Sequence, residues 1–282
     1  MVKIISDSTC DLSKDLLEKY DVEILPLHVI LGDKDYQDGV TITPDEIYAW
    51  SDASKQTPKT SAISVDEAAE AFEPFIKDGG EVICFAISES MSSTANSMRM
   101  AASLLKAEDR ITIIDSANLS TGVGLQVIEA AKLAKEGKSA KEIAAAIEAI
   151  KPLVRASFVV DTLTYLHRGG RCSGAAALVG STLKLHPRIA VENGKMAPGK
   201  KYRGRMSRAI MDYVKDMEAD LKAARKDRVF ITHSGCEEQD IETVREYLQG
   251  LNHFEEIFVT RAGSVVSSHC GPGTLGVLFI SK

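Results

Sequence analysis

Apolar residues gather in short runs along the chain: VKIIS near the start, then EILPLHVIL, VICFAI, ITIID, ASFVV, RVFITH and VLFIS. Most of these runs are continuous rather than alternating, the pattern of strands buried on both faces. The segments between them are amphipathic and open on strong helix signals. Thr43-Pro44-Asp45-Glu46 supplies an N-cap, a proline at the first helical position and a glutamate at the third, and Ser64 with Glu67 and Ser139 with Glu142 repeat the capping box. Strand and helix in alternation predict right-handed crossovers and a parallel sheet covered by helices, the three-layer α/β class.

The rhythm changes in the second half. EAIKPLVRAS, residues 148–157, ends a helix at Pro152 and restarts the pattern, which sets a domain boundary near residue 152 and divides the chain into 1–152 and 153–282. Downstream, PRIAVENGKMAPGKKYRGR reads as a hairpin turning on Asn193-Gly194, so a mixed sheet is expected there. Two domains leave a cleft between them, a common place for a ligand.

Composition narrows the partners. With 44% hydrophobic and 26% charged residues the chain is an ordinary globular protein, and MVKIISDST runs straight into a strand without a basic leader and apolar core, so a cytoplasmic location is expected. The 34 Lys and Arg against 40 Asp and Glu leave a net charge of −6, which repels a phosphate backbone and argues against nucleic acid. Five scattered cysteines without a CxxC indicate reduced thiols rather than a disulfide framework or a zinc site.

Ser88–Met100, SESMSSTANSMRM, carries six hydroxyls in its first ten positions with no histidine, cysteine or lysine among them to activate a nucleophile. In open α/β sheets ligands gather at the carboxyl ends of the strands. The first turn of the next helix, here expected near Thr94, offers unpaired N–H groups with positive partial charge. Ser92, Ser93 and Thr94 would add donors without adding charge, which suits a carboxylate that must enter and leave. Taken singly each hydroxyl reads as a cap or a solvated turn; six together point to an anion.

KTSAIS, residues 59–64, spends Ser64 on a cap and leaves Thr60 and Ser61 for a second wall. His269, in VVSSHCGPGTLGVLF, interrupts an apolar run just before Gly-Pro-Gly; it reads as a donor to a carboxylate or as a satisfied core histidine. HRGGR, residues 167–171, places Arg168 and Arg171 around a flexible pair of glycines, which suits an anionic ligand, a protein partner or a plain turn, and exposed arginine on a loop favours the partner. Asp7, Asp11 and Asp115 read as turn and cap residues. STGVGL lacks the last glycine of a dinucleotide turn, no phosphate loop or nucleophile elbow occurs, and Cys270 has no ligand spacing, so neither a metal nor a cofactor is expected.

In order along the chain, IISDSTCDL, EILPLHV, KTS, ESMSSTANS, IIDSANLSTGVG, LTYLHRGGR, KYRGRMSRAI and SSHCGPGTLGVLF resemble the DegV family of bacterial fatty-acid-binding proteins, the group that includes the FakB subunits of fatty acid kinase. The resemblance runs end to end. It implies an N-terminal three-layer α/β/α domain with a parallel sheet, a C-terminal two-layer α/β domain with a mixed sheet, and a long-chain fatty acid buried between them. Carried over, the carboxylate-binding hydroxyls fall on Thr60 or Ser61 and on Ser92, with Ser93 beside it, and His269 completes the polar end. Arg203 of KYRGR matches a position near the same site, and Arg171 matches a residue that docks the kinase partner. Ala62 and Ile63 stand where relatives carry Gln-Pro, and Ala95 where they carry an aromatic residue. The implied function is a carrier without catalytic residues of its own, which presents the carboxylate to a separate fatty acid kinase for conversion to acyl phosphate and makes transient contact with a membrane surface. A serine-dependent lipid ester hydrolase, using Ser92 or Ser93 with His269 as base, is the alternative; it needs an orienting group and an oxyanion pocket as well.

Overall fold

The apolar runs of the first half become a parallel sheet because each is covered on both sides. The computed structural model describes residues 2–77, 79–172 and 185–282. Strands β1 (Val2–Asp7), β2 (Val22–Leu25), β3 (His28–Leu31), β4 (Lys34–Gln37), β5 (Lys59–Ser61), β6 (Glu81–Ala86) and β7 (Ile111–Asp115) precede Pro152. After it come β8 (Val154–Val159), β9 (Leu185–Glu192), β10 (Lys195–Arg203), β11 (Arg228–His233), β12 (Glu256–Arg261) and β13 (Leu275–Ile280). The first sheet has the order β2-β1-β6-β7 and is parallel throughout. Val82 and Cys84 of β6 join the core under the helices Val65–Ile76 and Thr94–Leu104, whereas Ile83 and Phe85 join the core under Lys14–Tyr20, Thr121–Lys135 and Ala140–Ile150. That is the expected three-layer arrangement. Capping boxes form at Thr43, Ser64 and Ser139, with both reciprocal bonds present in each.

The second sheet, β10-β9-β8-β13-β11-β12, is mixed: only β11 and β12 run parallel. One face packs Val159, Val229, Ile231, Val277 and Phe279 against the helices Met206–Asp216, Glu218–Ala223 and Glu238–Gly250. Among the described residues the opposite face is covered mainly by the first half, with Leu166, Val265, Val266 and Cys270 of the second half joining the core beside Phe158. Val154, Ala156, Phe230 and Leu278 share a core with Val123, Val127 and Ile128 of Thr121–Lys135, while Phe158 and Ile189 share one with Leu27, Ile87 and Leu119. The sheet thus has two layers of its own and borrows a third.

Two features depart from the pattern of apolar runs. EILPLHVIL is not one strand: β2 stays in the parallel sheet, and after Pro26, which has no N–H to donate, the chain leaves it and β3 pairs antiparallel with β4 and β5 in a separate small sheet. The Leu27 N–H, freed from the ladder, donates to Ser8 Oγ at 3.1 Å. EIFVTR, a three-residue apolar run between the charged ends Glu256 and Arg261, forms β12 at the edge of the mixed sheet.

The hairpin forms as its Asn-Gly pair requires, with φ of 49° at Asn193 and 77° at Gly194. Gly194 also meets the hydroxyl-rich stretch: its carbonyl accepts from Ser88 Oγ at 2.7 Å, and a Cβ there would lie 2.6 Å from that oxygen. Gly194→Ala therefore strains the turn and pushes the hairpin off the first half. The expected loss is about 1–3 kcal/mol by denaturant unfolding, and an unchanged midpoint would contradict this role.

Candidate ligand site

Three walls enclose a cavity of about 250 Å³ where the two sheets face each other. Thr60, Ser61 and Ala62 come from the end of β5; Ile87, Met91, Ser92 and Ser93 come from the turn after β6; Val265, Val266, His269 and Cys270 come from the helix Ser264–Cys270. Leu27, Leu119 and Met196 complete an apolar lining, and Arg171 reaches the same space. The turn after β6 is where the open-sheet rule puts a ligand.

The polar groups form one connected cluster. His269 Nε2 lies 2.8 Å from Thr60 Oγ1, while its Nδ1 is buried without a hydrogen-bond partner. Such an orphan costs about 1–3 kcal/mol unless something meets it. The ring fits only because residue 169 has no side chain: a Cβ on Gly169 would come within 2.3 Å of Nδ1. Arg171 donates to the Gly169 carbonyl at 2.7 Å and to the Met91 carbonyl at 3.4 Å, which joins the histidine to the serine turn. Burial, helped by the Arg171 charge, lowers the His269 pKa to about 4, so the ring is neutral at physiological pH.

The six hydroxyls turn out to have different tasks. Ser88 clamps the hairpin; Ser92 Oγ lies 2.8 Å from Thr94 Oγ1 and accepts from the Thr94 N–H at 3.2 Å. Ser93 is the N-cap residue of Thr94–Leu104 but makes no side-chain cap bond, so its hydroxyl stays open to the cavity. The helix therefore points its positive end at this wall, with hydroxyls in front of it.

Of the residues singled out in the sequence, Thr60, Ser61, Ser92, Ser93 and His269 line this one cavity. Arg171, which the sequence assigned to a partner, lines it too. Arg203 does not: it is exposed at the far end of β10, opposite Leu185. It stands seven residues beyond Met196, about 20 Å along the strand. The apolar wall residues were not singled out, because a lining leucine and a core leucine follow the same periodicity. Asp7 and Asp115 cap local turns as expected, and all three aspartates also accept from distant N–H groups: Asp7 from Ile87 at 2.7 Å, Asp115 from Glu89 at 3.1 Å and Asp11 from Gly263 at 2.8 Å.

The family described as uncharacterised DegV proteins matches residues 1–282, and the chain belongs to the DegV family. A DegV domain-containing protein of Deinococcus radiodurans is 33% identical over 98% of this chain and 97% of its own. Among solved structures, a DegV family protein of Thermus thermophilus described by its fatty acid binding is 31% identical, with a TM-score of 0.91 over 100% of this chain and 99% of that one. A stearic-acid-binding protein of Eubacterium ventriosum is 30% identical, with a TM-score of 0.88 and the same coverage.

The neutral, crowded imidazole has a direct check. In an NMR titration of the unliganded protein the His269 ring is expected to protonate near pH 4, and protonation near the ordinary histidine value of 6.5 would contradict the burial described here.

Proposed function

We propose that this chain is a fatty-acid carrier. It holds a long-chain fatty acid in the cavity between its halves, 1–152 and 153–282, with the carboxyl group at Thr60, Ser92, Ser93 and His269, and presents that group to a separate ATP-using kinase that makes the acyl phosphate. The observation that carries this reading is the union, in one cavity, of an apolar lining with a neutral imidazole, the Thr60 hydroxyl bonded to it and open hydroxyls. Relatives above 25% identity that are described as fatty-acid-binding proteins support the ligand class.

Binding energy comes from the tail. About 15 methylenes at roughly 0.8 kcal/mol each give on the order of 12 kcal/mol gross, before association and ordering costs return much of it. The head group sets direction. Desolvating a carboxylate is costly, so hydroxyl and backbone donors together with the imidazole replace its water, and Arg171 at the rim adds a favourable field. The Arg171 residue is exposed, which also suits it to meet the kinase. Phosphate chemistry belongs to that partner, and the chain's own residues bind and orient.

A hydrolase needs a histidine bonded to its nucleophile. Here His269 Nε2 is engaged by Thr60, and Ser92 Oγ by Thr94, so the geometry favours holding over cleaving.

Mass spectrometry of the purified protein under native conditions is expected to find one fatty acid per chain, and Thr60→Val to weaken rebinding about tenfold through loss of a charge-assisted bond of about 1.4 kcal/mol. Ester turnover abolished by Ser92→Ala would overturn the carrier reading. Gly169→Ala, which drives a methyl into the imidazole, is expected to weaken fatty-acid binding by at least as much while the fold stays intact by circular dichroism. Wild-type affinity in that variant would contradict the head-group geometry.

A further inference from the structure

The helix that carries His269 is short, Ser264–Cys270, and it is held at its start by two carboxyl groups from the other half of the chain. Asp38 accepts from the Ser264 N–H at 2.6 Å, and Asp11 accepts from the Gly263 N–H at 2.8 Å. Both carboxyl groups flank the Cα of Gly263: a methyl there would lie 3.1 Å from an Asp38 oxygen and 3.2 Å from one of Asp11. Asp38 also accepts from Ser8 Oγ at 2.8 Å, and Ser8 Oγ in turn receives the Leu27 N–H. A third carboxyl group, Asp7, accepts from the Ile87 N–H at 2.7 Å. Leu27, Ile87 and the helix of His269 all line the cavity, and each is fixed through its backbone by this set, Leu27 by way of Ser8.

The electrostatics are unusual for a structural cluster. Asp7, Asp11 and Asp38 are all buried, and no ion pair with a lysine, arginine or histidine reaches any of them among the described residues. The titratable neighbours that face them are one another and the thiols of Cys10, Cys84 and Cys270. Burial pushes the Cys10 and Cys270 thiols up to about 12 and raises Cys84 as well, so all three are neutral. Adjacent buried carboxylates without a cation do not both ionise.

We propose that Asp11 and Asp38 are positioning residues for the head-group site, holding the helix of His269 as a carboxyl pair that retains a proton. This rests on the fatty-acid reading of the cavity. Burial first, and the neighbouring carboxyl groups after it, raise Asp11 to about 8 and Asp7 to about 6, and burial raises Asp38 in the same direction. A carboxyl group that is raised on folding adds stability at low pH, which is lost as pH rises from its unfolded value near 4 to its folded value near 8. Within the folded protein, loss of the proton above about 8 sets two anions against each other at the root of the helix.

Two measurements on the full chain test this. With palmitate as the probe, wild-type affinity is expected to fall at least fivefold between pH 7 and pH 9.5, and Asp11→Asn, a neutral mimic of the protonated acid, to remove that slope. Asp38→Ala is expected to cost at least tenfold at pH 7, and Asp38→Asn, which keeps an acceptor for the Ser264 N–H, to recover most of it. Without ligand, the thermal midpoint of wild type relative to Asp11→Asn is expected to decline from pH 5 to pH 8 and then level. The proposal is wrong if the affinity slope persists in Asp11→Asn, if the midpoint difference between wild type and Asp11→Asn does not change with pH, or if Asp38→Ala binds like wild type. Should Asp38→Ala fail to fold, the Asp11→Asn comparisons decide alone. Absence of palmitate binding at every pH would sink the fatty-acid reading, while the unliganded midpoints would still judge the carboxyl pair.

Discussion

A sheet with helices on one face must bury the other, and in this chain the mixed sheet buries its bare face on the first half. Everything that defines the site follows from that contact. The first half meets that face with two sheets, because Pro26 ends one strand and the chain passes into a small antiparallel sheet. Near β8 and the helix Thr121–Lys135 the two halves close into a solid core; beside Leu27, Ile87 and Met196 they leave a cavity. An apolar space of this kind cannot be satisfied by polar solvent, and it gains most from an apolar guest.

The polar end obeys the opposite rule. A carboxyl group leaving water must be met by donors, and most of the proposed ones are positioned by a second contact: His269 by Thr60 and by the missing side chain at Gly169, Ser92 by Thr94, and the histidine's helix by Asp11 and Asp38, while Ser93 stays open. Neutral donors hold an anion firmly enough to orient it while leaving it free to depart, which suits a carrier. The arginine at the rim supplies charge without sealing the cavity, since its strongest bond is to the Gly169 carbonyl.

Much of this was legible in the sequence, for local reasons. Capping boxes are built from residues three apart, so Thr43, Ser64 and Ser139 announced their helices, and the Asn193-Gly194 turn announced the hairpin. That Ser92 and Ser93 would line a cavity was legible because six hydroxyls in ten residues at a strand-to-helix join exceed what capping needs. What stayed hidden depended on distant partners. EILPLHVIL read as one strand because periodicity does not register that Leu27 would find Ser8. Asp11 read as a turn residue because Gly263 lies 252 residues away in the chain. That Arg171 also reaches the cavity stayed hidden because exposure on a glycine loop does not say which way a guanidinium folds back, and Arg203 read as a site residue by resemblance alone although β10 carries it away from the cavity.

The central claim is that the tail supplies affinity and the head group supplies direction. Calorimetric binding of saturated fatty acids from 10 to 16 carbons measures the two separately. If the tail grips, affinity rises about fourfold per added methylene, the equivalent of roughly 0.8 kcal/mol, with an increasingly negative heat-capacity change. An affinity that is independent of chain length would contradict the account.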